Sequence, residues 1–198
     1  MKLRYSPTSP FVRKVLVTAI ETGTAGRIDK NPTKTADPDL SHDNPLGKVP
    51  ALVTDDGDKL YDSRVICEYL DSLHDGPALF PPAGSARWTT LRLQALGDGI
   101  MDALVNCVVE NRRTENDESR AYTERQKGKV RLAVAQLESE ADGLDGPLTI
   151  GHVTLGCAVG YIGARMPELN LSQEAPRLAR WYDDFATRPS MTETAPPA

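Results

Sequence analysis

The feature that most constrains this chain is a change of hydrophobic period at Pro10. Lys2-Leu3-Arg4-Tyr5 alternates polar and apolar, the period of a half-buried strand. Ser6-Pro7-Thr8-Ser9-Pro10 is turn chemistry. Beyond it, Phe11, Val12, Val15, Leu16, Ala19 and Ile20 fall on one face of a helix. The punctuation agrees, with Ser9 at the N-cap, Pro10 at the first helical position and Gly23 just past the end. A strand, a turn and an amphipathic helix therefore open the chain, which commits its first part to a mixed α/β layer.

Residues 24–48 read as irregular, with a weak strand near Arg27-Ile28 and a short helix near Pro38–His42, because Pro32, Pro38 and Pro45 break anything longer. Val49–Thr54 and Lys59-Leu60-Tyr61 flank the turn Asp55-Asp56-Gly57-Asp58 and predict a hairpin. Asp62-Ser63 then caps a helix with Val65, Ile66, Tyr69, Leu70 and Leu73 on its apolar face, closed by Gly76-Pro77. After Phe80–Gly84 strand-like alternation stops. The pattern there predicts a long helix from Trp88 to Val108, a second from Tyr122 to Leu144, an apolar helix from Thr154 to Arg165, and a fourth on Leu178, Trp181, Tyr182 and Phe185. The expected organisation is α/β plus all-α: a mixed domain over 1–76, a linker over 77–83, and a helical domain over 84–198.

Composition narrows the function classes. The chain has 198 residues, with 23 Lys+Arg against 28 Asp+Glu and a net charge of −5. That balance argues against a nucleic-acid binder, which needs cations to displace phosphate counterions. The longest nearly apolar stretch, Val153 to Ala164, is too short for a membrane span. The first seven residues have no apolar signal-peptide core. Cys67, Cys107 and Cys157 are odd in number and widely spaced, which is neither a disulfide framework nor a zinc knuckle. The expectation is a cytoplasmic protein in a reducing compartment, without metal, membrane or nucleic-acid partners.

No GxGxxG, phosphate loop, HExxH, GxSxG or CxxC is present, and His42, His74 and His152 stand in no ligand spacing. What remains is a pair of helix N-termini in the first domain. Ser9 offers a hydroxyl at one, and Asp62-Ser63 a carboxylate beside a cap at the other. A helix N-terminus favours an anion, and a thiolate there has a lowered pKa. A hydroxyl donating to the sulfur lowers it further by bonding the charged form. The first loop has no thiol of its own, so the arrangement suits activation of another molecule's thiol. The alternative is that Ser9 and Asp62-Ser63 are caps and nothing more. Cys67, Cys157, Trp181 and Tyr182 read as core, and Asp55–Asp58 as a hairpin turn.

The residues also resemble a known family. Ser9-Pro10-Phe11-Val12 stands where glutaredoxin-like folds carry Cys-Pro-Tyr-Cys. Asn44-Pro45-Leu46-Gly47-Lys48-Val49-Pro50-Ala51-Leu52 is similar to the NPxGxVPxL block of cytosolic glutathione transferases, and Leu60–Leu70 to their ESxAIxxYL block. The three blocks cover the first 75 or so residues; the helical half is similar only in pattern. The resemblance implies a thioredoxin-like glutathione-binding domain and a helical domain carrying a pocket for a hydrophobic electrophile, in a detoxifying transferase. It implies that Ser9 stabilises the glutathione thiolate, that Val49 pairs its backbone with the cysteinyl part beside a cis Val49–Pro50 bond, and that Asp62 and Ser63 hold the γ-glutamyl end. Lys48, and also Lys34, would meet the glycyl carboxylate. It further implies a homodimer in which Arg64 and Asp98 make cross-subunit contacts. Tyr5, and after it Thr8, are the rival hydroxyls for the sulfur. A noncatalytic interaction module with the same fold is the alternative function.

Two positions depart from the family pattern. Asp62 stands where Glu is common, one methylene shorter with the same charge. The Ser/Thr-x-x-Asp capping box of the helical domain would fall on Thr154-Leu155-Gly156-Cys157, where Cys157 cannot reach back as a carboxylate does.

Overall fold

The structure is a computed structural model that describes residues 1–34 and 36–197. The chain forms two compact units: Met1–Arg87 together with the stretch from Pro189 onward, and Trp88–Arg188.

The first unit begins with β1 (Lys2–Tyr5), the turn to Ser9 and α1 (Pro10–Glu21). A 3₁₀ turn at Ala25–Arg27 leads into β2 (Asp29–Pro32), which runs parallel to β1 with Lys2 opposite Asp29 and Tyr5 opposite Pro32. Then come α2 (Leu40–Asp43), β3 (Ala51–Val53), β4 (Lys59–Leu60) and α3 (Ser63–Asp71). The sheet order is β2-β1-β3-β4, with β3 antiparallel to both β1 and β4. This βαβ unit followed by a ββα unit is the thioredoxin-like topology. Leu3 and Leu52, paired across the central strands, are both fully buried. Each such leucine contributes about 1.5–3 kcal/mol of burial. α1 and α3 pack against each other, and the Thr18 hydroxyl donates to the Cys67 sulfur at 3.3 Å between them.

The second unit is helical. α4 (Gly84–Glu110) starts just before it, and α5 (Asp117–Glu140), a 3₁₀ turn at Ala141–Leu144, α6 (Ile150–Arg165), α7 (Leu171–Glu174) and α8 (Pro176–Ala186) follow. α6 is its most buried helix, with Ile150, Val153, Leu155, Ala158 and Ile162 all inaccessible. Gly97 lies in the middle of α4, where glycine is costly for a helix. A Cβ there would come within 2.9 Å of Thr154 Cγ2 and 3.2 Å of its backbone, so the residue is the price of close passage of α4 over α6.

The structure revises several local expectations. The strand expected near Arg27-Ile28 begins two residues later, at Asp29. Val65, expected on the buried face of α3, is 47% exposed, while Cys67, read as core, is buried. α6 begins at Ile150, not Thr154, so the capping box is Thr149 with His152 rather than Thr154 with Cys157. Thr154 sits inside the helix with its hydroxyl donating to the Ile150 carbonyl at 2.7 Å. After α8 a last short helix, α9 (Pro189–Glu193), packs on α1. Arg13 Nη2 donates to the Met191 carbonyl at 3.0 Å and the Ser190 hydroxyl donates to the Glu21 carboxylate, which explains why this stretch groups with the first unit.

Candidate functional site

The register of the sheet brings the sequence-predicted residues to one end of the first unit. Arg4 lies opposite Ala51 in the antiparallel β1–β3 pair, so Val49 and Pro50 enter β3 beside the end of β1 from which the Ser6–Ser9 loop departs. Leu52 lies opposite Leu60, so β4 delivers Tyr61 and Asp62 back to the same end. β2 is parallel to β1, and its exit toward Lys34 is at that end too. The N-termini of α1 and α3 thus share an edge, each carrying a partial positive charge.

Ser9 is the N-cap of α1 in extended conformation, and its Oγ accepts from the Val12 N–H at 3.3 Å. That bond uses a lone pair and leaves the hydroxyl proton to donate elsewhere. The Ser9 N–H donates to the Ser6 carbonyl at 3.1 Å, closing the turn, and the Ser6 and Thr8 hydroxyls lie 3.3 Å apart. Tyr5 is half-buried at the end of β1, its carbonyl accepting from Thr33 N–H at 2.8 Å.

Asp62 is the N-cap of α3, and its Oδ1 accepts from the Arg64 N–H at 2.9 Å. Its carboxylate is exposed, while Ser63 at the first helical position is 2% exposed. Val49–Pro50 is a cis peptide bond, as the resemblance implies, and Tyr61–Asp62 is cis as well. Lys34 and Lys48 are exposed. Arg64 is exposed on α3, whereas Asp98 belongs to α4 in the second unit and is 1% exposed.

Asn44 is a residue that reading the sequence passes over. It is 2% exposed, and both ends of its amide are used. Oδ1 accepts from the Leu46 N–H at 3.0 Å, and Nδ2 donates to the Lys48 carbonyl at 2.8 Å. Gly47, at φ +62°, turns the loop in a conformation that glycine adopts without a steric cost. Asn44 therefore fixes the strand entry at Lys48 and Val49. The signal was present as an Asn ahead of a Pro-x-Gly turn, but a buried side-chain staple and a solvated turn residue look alike in sequence.

No group of His, Cys, Asp and Glu able to hold a metal ion occurs among the described residues. Among them, no helix is long and apolar enough to cross a membrane.

Comparison with known proteins places this architecture. The family described as "Glutathione S-transferase, N-terminal domain" matches residues 3–78, and "Glutathione S-transferase, C-terminal domain" matches residues 120–184. The uncharacterised GST-like protein YibF of Escherichia coli K12 is 33% identical over 202 aligned residues, covering 100% of this chain and 99% of the relative. A glutathione transferase family member from Pseudomonas fluorescens Pf-5, solved with bound glutathione, is 43% identical with a TM-score of 0.95, covering 100% of this chain and 99% of that one. The same description of protein was solved with S-(propanoic acid)-glutathione, at a TM-score of 0.90 and 43% identity over the full length of both chains. A glutathione S-transferase from Methylobacillus flagellatus KT with glutathione bound is 37% identical with a TM-score of 0.91, covering 99% of each chain. Two domain matches in order and full-length relatives agree with the fold built above: the chain belongs to the glutathione S-transferase family.

Proposed function

We propose that this protein is a glutathione transferase that binds glutathione at the shared edge of α1 and α3 and activates its thiol for attack on a hydrophobic electrophile. The observation that carries the reading is the convergence of Ser9, Val49 and Asp62-Ser63 on one end of the sheet, at two helix N-termini. In this reading the Ser9 hydroxyl donates to the sulfur, and the N-terminus of α1 adds its partial charge. Both favour the thiolate and lower its pKa. Val49 aligns the cysteinyl backbone as an added strand would. Asp62 accepts from the γ-glutamyl ammonium, and the Ser63 backbone and hydroxyl donate to its carboxylate. Lys48, with Lys34, meets the glycyl carboxylate. Catalysis then rests on a populated thiolate and on positioning against the electrophile. The bond formed is carbon–sulfur, and the leaving group carries off the electron pair it shared with the carbon. Where the electrophile is an activated alkene there is no leaving group; a proton is taken up instead. The glutathione complexes of the Pseudomonas and Methylobacillus neighbours support the co-substrate. The propanoate conjugate in the Pseudomonas neighbour supports carboxylated acceptors within the range to be assayed.

We further place the protein in the cytoplasm as a detoxifying homodimer. Trp88 at 69% exposure and Leu132 at 75% leave apolar surface on α4 and α5 that a second copy would cover. Arg64, exposed on α3, is the residue we assign to the cross-subunit contact.

The deciding experiment is calorimetric titration with glutathione, joined to a steady-state assay with an aryl halide, for wild type and Ser9→Ala. The reading predicts glutathione binding by both and a rate for Ser9→Ala lower by about 10- to 100-fold, the value of one hydrogen bond to a charged group. An unchanged rate moves the role to Tyr5 or elsewhere. No binding, with no rise in melting temperature in millimolar glutathione, selects the noncatalytic module instead.

A further inference from the structure

We infer that His152 makes the start of α6 a proton-sensitive joint, whose capping box is closed while the imidazole is neutral and opens when it is protonated. A capping box ordinarily ends in Glu or Gln, an acceptor that stays an acceptor near neutral pH. Here the acceptor is a ring nitrogen. His152 Nδ1 lies 3.0 Å from the Thr149 backbone nitrogen, which donates to it, and 2.8 Å from the Thr149 hydroxyl. The Leu144 backbone also acts on the imidazole, in the direction that favours its protonated form. Because the Thr149 N–H donates to Nδ1, that nitrogen is bare in the neutral ring and the proton sits on Nε2.

A second proton has one place to go, Nδ1. The Thr149 hydroxyl can rotate and accept from it, but the Thr149 N–H cannot, and two donors then face each other. The cap N–H loses its acceptor at the first turn of the most buried helix of the unit. The surroundings oppose the charge as well. From α8, Trp181 approaches with ring centroids 6.4 Å apart, and Arg188, just past that helix, is the charged group whose field reaches the imidazole. α4 meets this turn at Gly151 through Leu93 and the Thr90 carbonyl, neither of which is charged. Burial and, secondarily, Arg188 hold the pKa of His152 below the usual histidine value against the opposing pull of Leu144. A histidine with a depressed folded-state pKa leaves stability intact above its unfolded value, near 6.5, and withdraws it as pH falls toward the folded value. The joint therefore loosens on mild acidification, and the Ala141–Leu144 turn and α8, which pack together and on α5, loosen with it.

The test compares thermal melting of the full-length protein between pH 7 and pH 5.5 for wild type, His152→Asp and His152→Asn. A carboxylate or an amide oxygen at this position keeps accepting across the range. Wild type is expected to lose at least about 3 °C more than either variant over that interval, the scale of one helix cap in a chain of this size. Nitrogen-detected titration of the wild-type ring is the second readout and needs no variant. It should show the Nε2–H tautomer at neutral pH, a pKa below the free-histidine value, and loss of Thr149 amide protection in step with it. Equal pH slopes in the three proteins, or a ring that titrates at or above its ordinary value, would overturn the inference.

Discussion

The amide of Asn44 donates to the carbonyl of Lys48 at 2.8 Å, across a turn that its own Oδ1 also holds. This places a buried, fully used side chain directly behind the backbone proposed to pair with glutathione. Asn44→Ala removes both bonds and leaves the loop free to move. The expected result is a KM for glutathione raised about fivefold with kcat changed less than threefold, since roughly 1 kcal/mol of loop-fixing hydrogen bonding is lost and the loss falls on ground-state and transition-state binding alike. Asn44→Asp, which keeps the acceptor for Leu46 N–H and loses the donor to Lys48, should give an intermediate KM. A KM equal to wild type in both would show that the loop holds itself.

Ser9 stands where related folds place a redox cysteine, and a hydroxyl cannot form a mixed disulfide. Wild type should therefore be a poor thiol-disulfide reductase. Ser9→Cys puts a thiol at the N-cap of α1, where the helix terminus lowers its pKa. It should gain at least tenfold in reduction of a glutathione mixed disulfide, acquire one glutathione by mass when treated with glutathione disulfide, and lose transferase activity. Rapid thiol transfer by wild type would contradict the assignment of Ser9.

Glu138 on α5 caps α8 from outside that helix. Its carboxylate accepts from Arg177 N–H and from Leu178 N–H at 3.0 and 2.9 Å, and from Arg177 Nε at 3.1 Å. Burial pushes its pKa up, but the bonds from Leu178 and Arg177 together with the Arg177 charge outweigh this and hold it below the ordinary glutamate value. A carboxylate with a depressed folded-state pKa stabilises above its unfolded value, about 4.3, and loses that contribution as pH falls through the folded value. Glu138→Gln should thus melt about 2–4 °C below wild type at pH 7, the scale of one lost cap. The gap should narrow as pH falls below the unfolded glutamate value, about 4.3. A constant gap from pH 7 to pH 3.5 would show that packing, not charge, is what Glu138 contributes.

How much of this was legible in the sequence depended on whether the decisive interactions were local. α1 was readable to the residue because Ser9, Pro10 and Gly23 act on their own helix. β2 was not. Asp29–Pro32 is a polar edge strand without alternating burial, and it is a strand because β1 pairs with it. The start of α6 was misplaced because Gly151 interrupts its apolar pattern. The reason for that glycine is tertiary, since a Cβ there would lie 3.0 Å from Leu93 Cβ and 3.1 Å from the Thr90 carbonyl. At the site, Ser9 and Asp62 were visible as caps, and the caps are where the structure puts them. Asn44 and His152 were missed for different reasons: a buried asparagine staple looks in sequence like a solvated turn residue, and a histidine is not the Glu or Gln that marks the third helical position of a capping box.

Leu132 and Trp88 test the proposed assembly. On α4 the exposed positions Trp88, Arg92, Ala95, Gly99, Asp102, Asn106 and Val109 recur at helical spacing, and two of them are small enough for a second helix to approach closely. On α5, Leu132 is 75% exposed, with the exposed Ala135 one turn on. In the proposed dimer a self-complementary face would cover this leucine and tryptophan. The expected mass in solution, by light scattering on a sizing column, is that of a dimer of the 21.6 kDa chain. Leu132→Glu would bury a charge in such an interface and should shift the protein to monomer at micromolar concentration, with circular dichroism unchanged. Wild type running as a monomer would remove the homodimer from the reading. It would leave the glutathione site of the single chain in place, because every residue assigned to hold the tripeptide lies within Met1–Arg87.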